Sequence, residues 1–174
     1  MRIRKQLVEL AQPKTTPEWL AIQDVAQIEL TSEDQQYPID SALIGNGGTG
    51  WRASGPGEQQ IRLVFDTPQA IRLIHLVFED TEQERLQEFT LRWSSDRGLT
   101  YATIVRQQFF FSPLGATREV EDYSVDLNGA TDVELQIVPD LSRRPIIASL
   151  KELRVSAEEL STVYLGKPSS PGSS

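Results

Sequence analysis

From residue 59 to residue 156 apolar and polar side chains alternate with a period of two, and no long amphipathic helix interrupts them. A strand points successive side chains to opposite faces, so such a chain must build sheets that each bury one face. The strand-like segments are 25–32, 59–66, 69–79, 86–94, 99–107, 118–127, 131–139 and 146–156. Segment 69–79 is apolar on both faces and belongs in the centre of a sheet. Gly98 in "SSDRG" turns the chain between 86–94 and 99–107, which read as a hairpin. "NGA" at 128–130 is a further turn signal, and "QFFFSPLGA" reads as a loop or strand edge. About eight strands with short connections mean an antiparallel all-β sandwich or barrel.

"IGNGGTGWRASGPG", residues 44–57, holds six of the eleven glycines and breaks the pattern. A phosphate cradle needs a strand before the glycines and a helix after them. Here a strand follows, and no G-K-[ST] is present, so the stretch reads as a loop between strands. Cysteine is absent, which removes disulfides, thiolate zinc sites and a cysteine nucleophile. The single histidine, His75, lies in the apolar "IRLIHLVF" and reads as buried and hydrogen-bonded. No G-x-S-x-G or HExxH is present, and no catalytic set emerges. The net charge of −8 makes nucleic acid an unfavourable partner. Its acids bunch in 24–40 and 79–88, read as solvated loops. The start has no apolar segment of leader length and no stretch reaches the roughly 20 apolar residues of a membrane span. A soluble, cytoplasmic protein is expected.

Four stretches in order resemble a discoidin, or coagulation factor 5/8 type C, domain of the galactose-binding domain-like superfamily. They are "SALIGNGGTGWRAS", "EQQIRLVFDTPQAIRLIHLVF", "FTLRWSSDRGLTYATI" and "VELQIVPD" with "IIASLKELRV". Asp66, Thr67 and Pro68 replace that family's usual turn, and Tyr101 stands where Trp is common. The resemblance implies an eight-stranded antiparallel jelly-roll β-sandwich over 25–156. Residues 1–24 then form an N-terminal extension, with Thr16 as a helix cap and Pro17 at the first helical position. Residues 157–174 form a C-terminal extension. It opens on a capping-box spacing at Ser156 and Glu159, with a short helix over 157–165, and ends in a tail of disordered composition. Trp51 and Trp93 read as core residues, and Trp19 as a seal between the extension and the sandwich.

The same resemblance places the ligand on loops at one end of the sandwich. Candidates are Arg52, the acidic loop 79–86, Phe109, Phe110 and Phe111, and Arg143 and Arg144. Neighbouring phenylalanines on an extended segment alternate faces, so at least one sits at a surface or under a covering segment. A ring beside two arginines suits a sugar, an acidic partner or a base. The resemblance also implies a structural calcium, with Asp40, Asn46 and Thr49 as loop ligands and Glu152 as the closing carboxylate. Calcium takes six to eight oxygens, and this loop is short of acids, so Glu152 reads equally as a surface charge. Three functions remain open. The first is a non-catalytic module binding carbohydrate or a protein partner. The second follows from "GWRASGPGEQQIRLVF" and "FFFSP", which also resemble the amino-terminal domain of the eukaryotic single-strand-break repair scaffold and imply binding to a repair protein or DNA ends. The third is an oligomeric assembly or accessory role.

Overall fold

The alternation in residues 59–79 runs into one strand that turns a corner. In the computed structural model, which describes Ile3, 17–45 and 47–158, strand β3 (Gln59–Glu79) pairs along its whole length with β6 (Arg118–Val138). Both bend together. Residues 59–64 of β3 face 132–137 of β6, and residues 71–79 face 118–127, with register shifts between Val64 and Leu73. Strands that change sheet through such irregularities form the corners of a sandwich.

One layer runs β1 (Ala26–Leu30), the first part of β3, the second part of β6, β4 (Arg85–Ser94) and β5 (Ala102–Phe111), all antiparallel. The other holds the second part of β3 between the first part of β6 and β8 (Glu152–Ser156). A separate ladder of β2 (Trp51–Pro56) with β7 (Ile147–Leu150) extends it. Segment 69–79 is therefore central, as its two apolar faces require.

The two layers meet through the Phe89 ring, 5.1 Å from Phe78 and 6.4 Å from Tyr123. Ile61, Leu63, Phe65, Ile71, Leu135 and Val155 complete a continuous core. Burying each such side chain stabilises the fold by about 1.5–3 kcal/mol. At the corner, bulges free backbone carbonyls that need donors. Arg97 supplies them for Phe65 and Asp66, and Arg72 for Leu127.

Several expectations are corrected here. Segments 59–66 and 69–79 are one bent strand, and so are 118–127 and 131–138. "NGA" bends β6 rather than closing a hairpin, because its flanking halves pair with β3 and not with each other. Segment 146–156 is two strands in different ladders. The glycine stretch contains β2, in which Trp51 and Ala53 point inward and Arg52 and Ser54 outward. Of the two readings of "QFFFSPLGA", the strand edge holds for its first four residues: "QFF" and Phe111 end β5, the edge strand of its layer. No helix starts at Pro17; a single turn, α1 (Ile22–Val25), comes later, and Ile22 is already in the core. A second short turn, α2 (Asp40–Leu43), precedes the glycines. The expected helix over 157–165 lies almost wholly outside the described residues. Among those described, no helix is long and apolar enough to cross a membrane.

Candidate functional site

The glycine loop is shaped by what lies against it. Gly50 has φ +78°, and a Cβ there would sit 2.7 Å from the Leu150 carbonyl oxygen. Only glycine allows this backbone conformation and so close an approach to β7. The next residue, Trp51, is 1% exposed, and its Nε1 donates to the Ser32 carbonyl at 3.1 Å. Alternation then turns Arg52 outward. Its backbone is clamped by the Asp34 N–H and the Tyr37 carbonyl. Its guanidinium lies over the Tyr37 ring, 4.5 Å from the centroid. Among the described residues it makes no ion pair, so an exposed cation is held in place with its donors free.

Opposite stands loop 79–83, and its shape comes from a buried arginine. Arg85 is 1% exposed. It donates to Asp80 Oδ2 at 2.7 Å, Gln87 Oε1 at 2.9 Å and the Pro139 carbonyl at 2.8 Å, and lies over the Phe111 ring. Asp80 Oδ1 in turn accepts the Glu82 and Gln83 N–H groups at 2.9 and 3.1 Å. Burial works to raise the Asp80 carboxyl, but these N–H groups and Arg85 outweigh it and hold the group below its ordinary range. Arg144 ties the next loop to this one. It donates to Asp140 Oδ2 at 2.8 Å and also to the Glu84 carbonyl.

Between these walls lies a cleft of about 360 Å³. Arg52 and Thr49 line one side, 79–83 another, and Pro145, Ile147, Ser149 and Lys151 the floor and rim. Glu79 is engaged by Arg118, Asp80 by Arg85, and Lys151 Nζ by the Gly48 carbonyl at 2.8 Å. Arg52 and Glu82 remain without ion pairs among the described residues. The cleft lining thus includes a guanidinium and a carboxylate that make no ion pair among the described residues, in a mostly polar surface.

The structure does not bring all the sequence candidates together. Arg52 and loop 79–83 meet at the cleft. Arg144 stands behind it as a tie between loops, and Arg143, with φ +64°, is exposed on the same loop. Phe109, Phe110 and Phe111 lie at the end of β5 and do not line it. Phe111 is fully buried under Arg85, Phe109 packs edge-on against it at 4.7 Å, and Phe110 is 51% exposed on the other face. The run therefore packs on Arg85, which explains why a ring pair sits at a loop-bearing end. His75 lies on the outer face of its sheet. Its Nδ1 is 2.7 Å from Asp122 Oδ1, its Nε2 3.4 Å from Glu152 Oε2, and the Trp19 ring covers it at 5.6 Å. Lys151 and Ser149 were not foreseen as parts of the site. A signal existed for Lys151. Apolar spacing slips from two to three between Leu150 and Leu153, which marks a break between strands.

Of the residues expected to hold calcium, Asp40 opens α2, Thr49 lies in the glycine loop and Glu152 opens β8. Asn46 lies outside the described residues. Thr49 Oγ1 donates to Ser41 Oγ, or to the Gly50 carbonyl, at 3.2 Å each. Glu152 is taken by His75 and Arg154. No group of three or more His, Cys, Asp or Glu side chains that could hold a metal occurs among the described residues.

No protein-family model matches this chain, and no curated protein matches it. Solved structures do. The family 32 carbohydrate-binding module of C. perfringens NanJ, in complex with galactose, superposes with a TM-score of 0.59 at 15% identity, over 79% of this chain and 96% of that one. A CBM32 module from a family 31 glycoside hydrolase of Clostridium perfringens gives 0.61 at 16% identity, over 80% and 95%. The C-terminal domain of a chitobiase from Bacteroides fragilis gives 0.57 at 21% identity, over 79% and 96%. The chain accordingly has the antiparallel β-sandwich fold of these structures.

Proposed function

We propose that this chain is a non-catalytic module that binds carbohydrate in the cleft between Arg52 and loop 79–83. One observation carries the reading: a guanidinium preset on Tyr37 and the Glu82 carboxylate, both without ion pairs among the described residues, line the same cleft of about 360 Å³. Neighbouring sugar hydroxyls both donate and accept, so they match a donor fork and an acceptor in one cleft. Ile147 and Pro145 offer apolar surface for the C–H face of a ring. The volume falls in the roughly 300–1,000 Å³ range of small-ligand sites. The galactose-bound module of the same fold supports this choice of ligand class. Binding without turnover is supported by the placement of His75, which stands between two carboxylates away from the cleft.

A glycan array followed by calorimetry on the best hit tests the reading. Binding is expected, and Arg52→Ala should weaken it at least about tenfold, the equivalent of roughly 1.4 kcal/mol. An array without signal above background removes the proposal. Binding to a gapped DNA duplex at low salt, where phosphate attraction is strongest, would favour the repair-scaffold reading instead.

A further inference from the structure

We propose that the Ile44 and Gly48 carbonyls are held by this chain's own cations, Arg154 and Lys151, where the discoidin resemblance implies calcium, and that the placement of Ile44 and Gly48 is independent of that metal. A calcium ion in such a loop does two things: it satisfies carbonyl oxygens and balances the closing carboxylate. Both are done here by side chains. Arg154 Nη1 donates to the Ile44 carbonyl at 3.2 Å and stands 3.5 Å from Glu152 Oε1. Lys151 Nζ donates to the Gly48 carbonyl at 2.8 Å. These two donors close the loop from both ends.

Gly45 records how tightly the guanidinium fits. With φ +60°, a Cβ at this position would collide with the Arg154 guanidinium and the Glu152 carboxylate. The space a metal would need beside Glu152 is thus filled by a fixed positive group. Arg154 is itself held in place, its guanidinium carbon 5.2 Å from the Trp19 ring centroid. Glu152 is held from its other oxygen by His75 Nε2 at 3.4 Å. A divalent cation entering here would meet Arg154 at close range with Glu152 already shared, and Asp40 would be the remaining acid on the loop.

The arrangement also links the loop to the proposed cleft. Lys151 holds Gly48, Thr49 follows, and Thr49, Arg52 and Lys151 all line the cleft. The inference concerns the loop alone, and its test needs no sugar. Thermal unfolding of the full chain is followed in EDTA and in millimolar calcium chloride. A resident site filled at a hundred times its dissociation constant would raise the midpoint by about 5–10 °C. The expected shift is under about 1 °C. Glu152→Gln should lower the midpoint equally in both conditions. In Arg154→Ala, the Gly50 amide, which donates to Ser41 Oγ at 3.0 Å, should exchange about tenfold faster than in the parent, since the staple on Ile44 is gone. A calcium-dependent rise in the parent that Glu152→Gln abolishes overturns the proposal, and so does unchanged exchange in Arg154→Ala. Should Glu152→Gln fail to fold, calorimetric titration of the parent with calcium gives the same decision: no heat supports the proposal, and a binding isotherm overturns it.

Discussion

Glu119 is 2% exposed on the inner face of β6, and both its carboxylate oxygens are buried without a hydrogen-bond partner among the described residues. Burial pushes its carboxyl up to about 8, helped by neighbouring Glu121 and opposed by Arg85. The sign of the consequence follows. An unfolded glutamate titrates near about 4.3, so between that value and about 8 the folded chain keeps a proton that the unfolded chain has released. The stabilisation is whole below the lower value and is lost as pH rises through the upper one. We expect the unfolding midpoint to fall between about pH 5 and 8 and to level off above that, and the fall to be much smaller in Glu119→Gln. Scanning calorimetry of both proteins over that range checks this; parallel profiles would contradict it. A carboxyl at the second residue of an alternating strand was legible as inward-facing. Its lack of a partner was not, because that depends on what the opposite layer presents.

At the scale of elements, loop 79–85 shows how a wall of the cleft is built from inside. Its acids read in sequence as a solvated run, and Glu82 and Glu84 are indeed exposed. Asp80 is different, because the following arginine is swallowed by the sandwich. Breaking a buried pair leaves the surviving charge uncompensated, at a cost of about 3–5 kcal/mol. Arg85→Met keeps an unbranched stem over Phe111 but abandons Asp80. It should cost that amount in urea unfolding, and adding Asp80→Asn should recover part of it. A loss below about 1 kcal/mol would mean that the pair does not hold the loop. The strands themselves were legible wherever period two ran unbroken. The corners were not: Asp66, Thr67 and Pro68 carry turn chemistry, yet β3 continues through them, because β6 bends in step beside it. Strand β2 was hidden for another reason. Its Trp51–Ala53 alternation is short and sits among glycines, whose density suggested a loop.

At the scale of the whole molecule, alternate burial made an antiparallel sandwich or barrel legible, and the resemblance pointed to the sandwich. Loops at one end could be named as the ligand region from the resemblance. Which of them meet was not legible, since Arg52 reaches loop 79–83 only through the β2–β7 ladder and the buried Arg85. The phenylalanine run shows the limit most plainly: its chemistry suggested a ligand face, and its burial serves Arg85. The central claim is that recognition takes place at that cleft. Its most direct test is a backbone amide chemical-shift titration with the best array sugar. The account predicts that the largest changes fall on Thr49, Arg52, Glu82, Ser149 and Lys151. Changes centred instead on Phe110 and Leu114, or on Arg143, would contradict it.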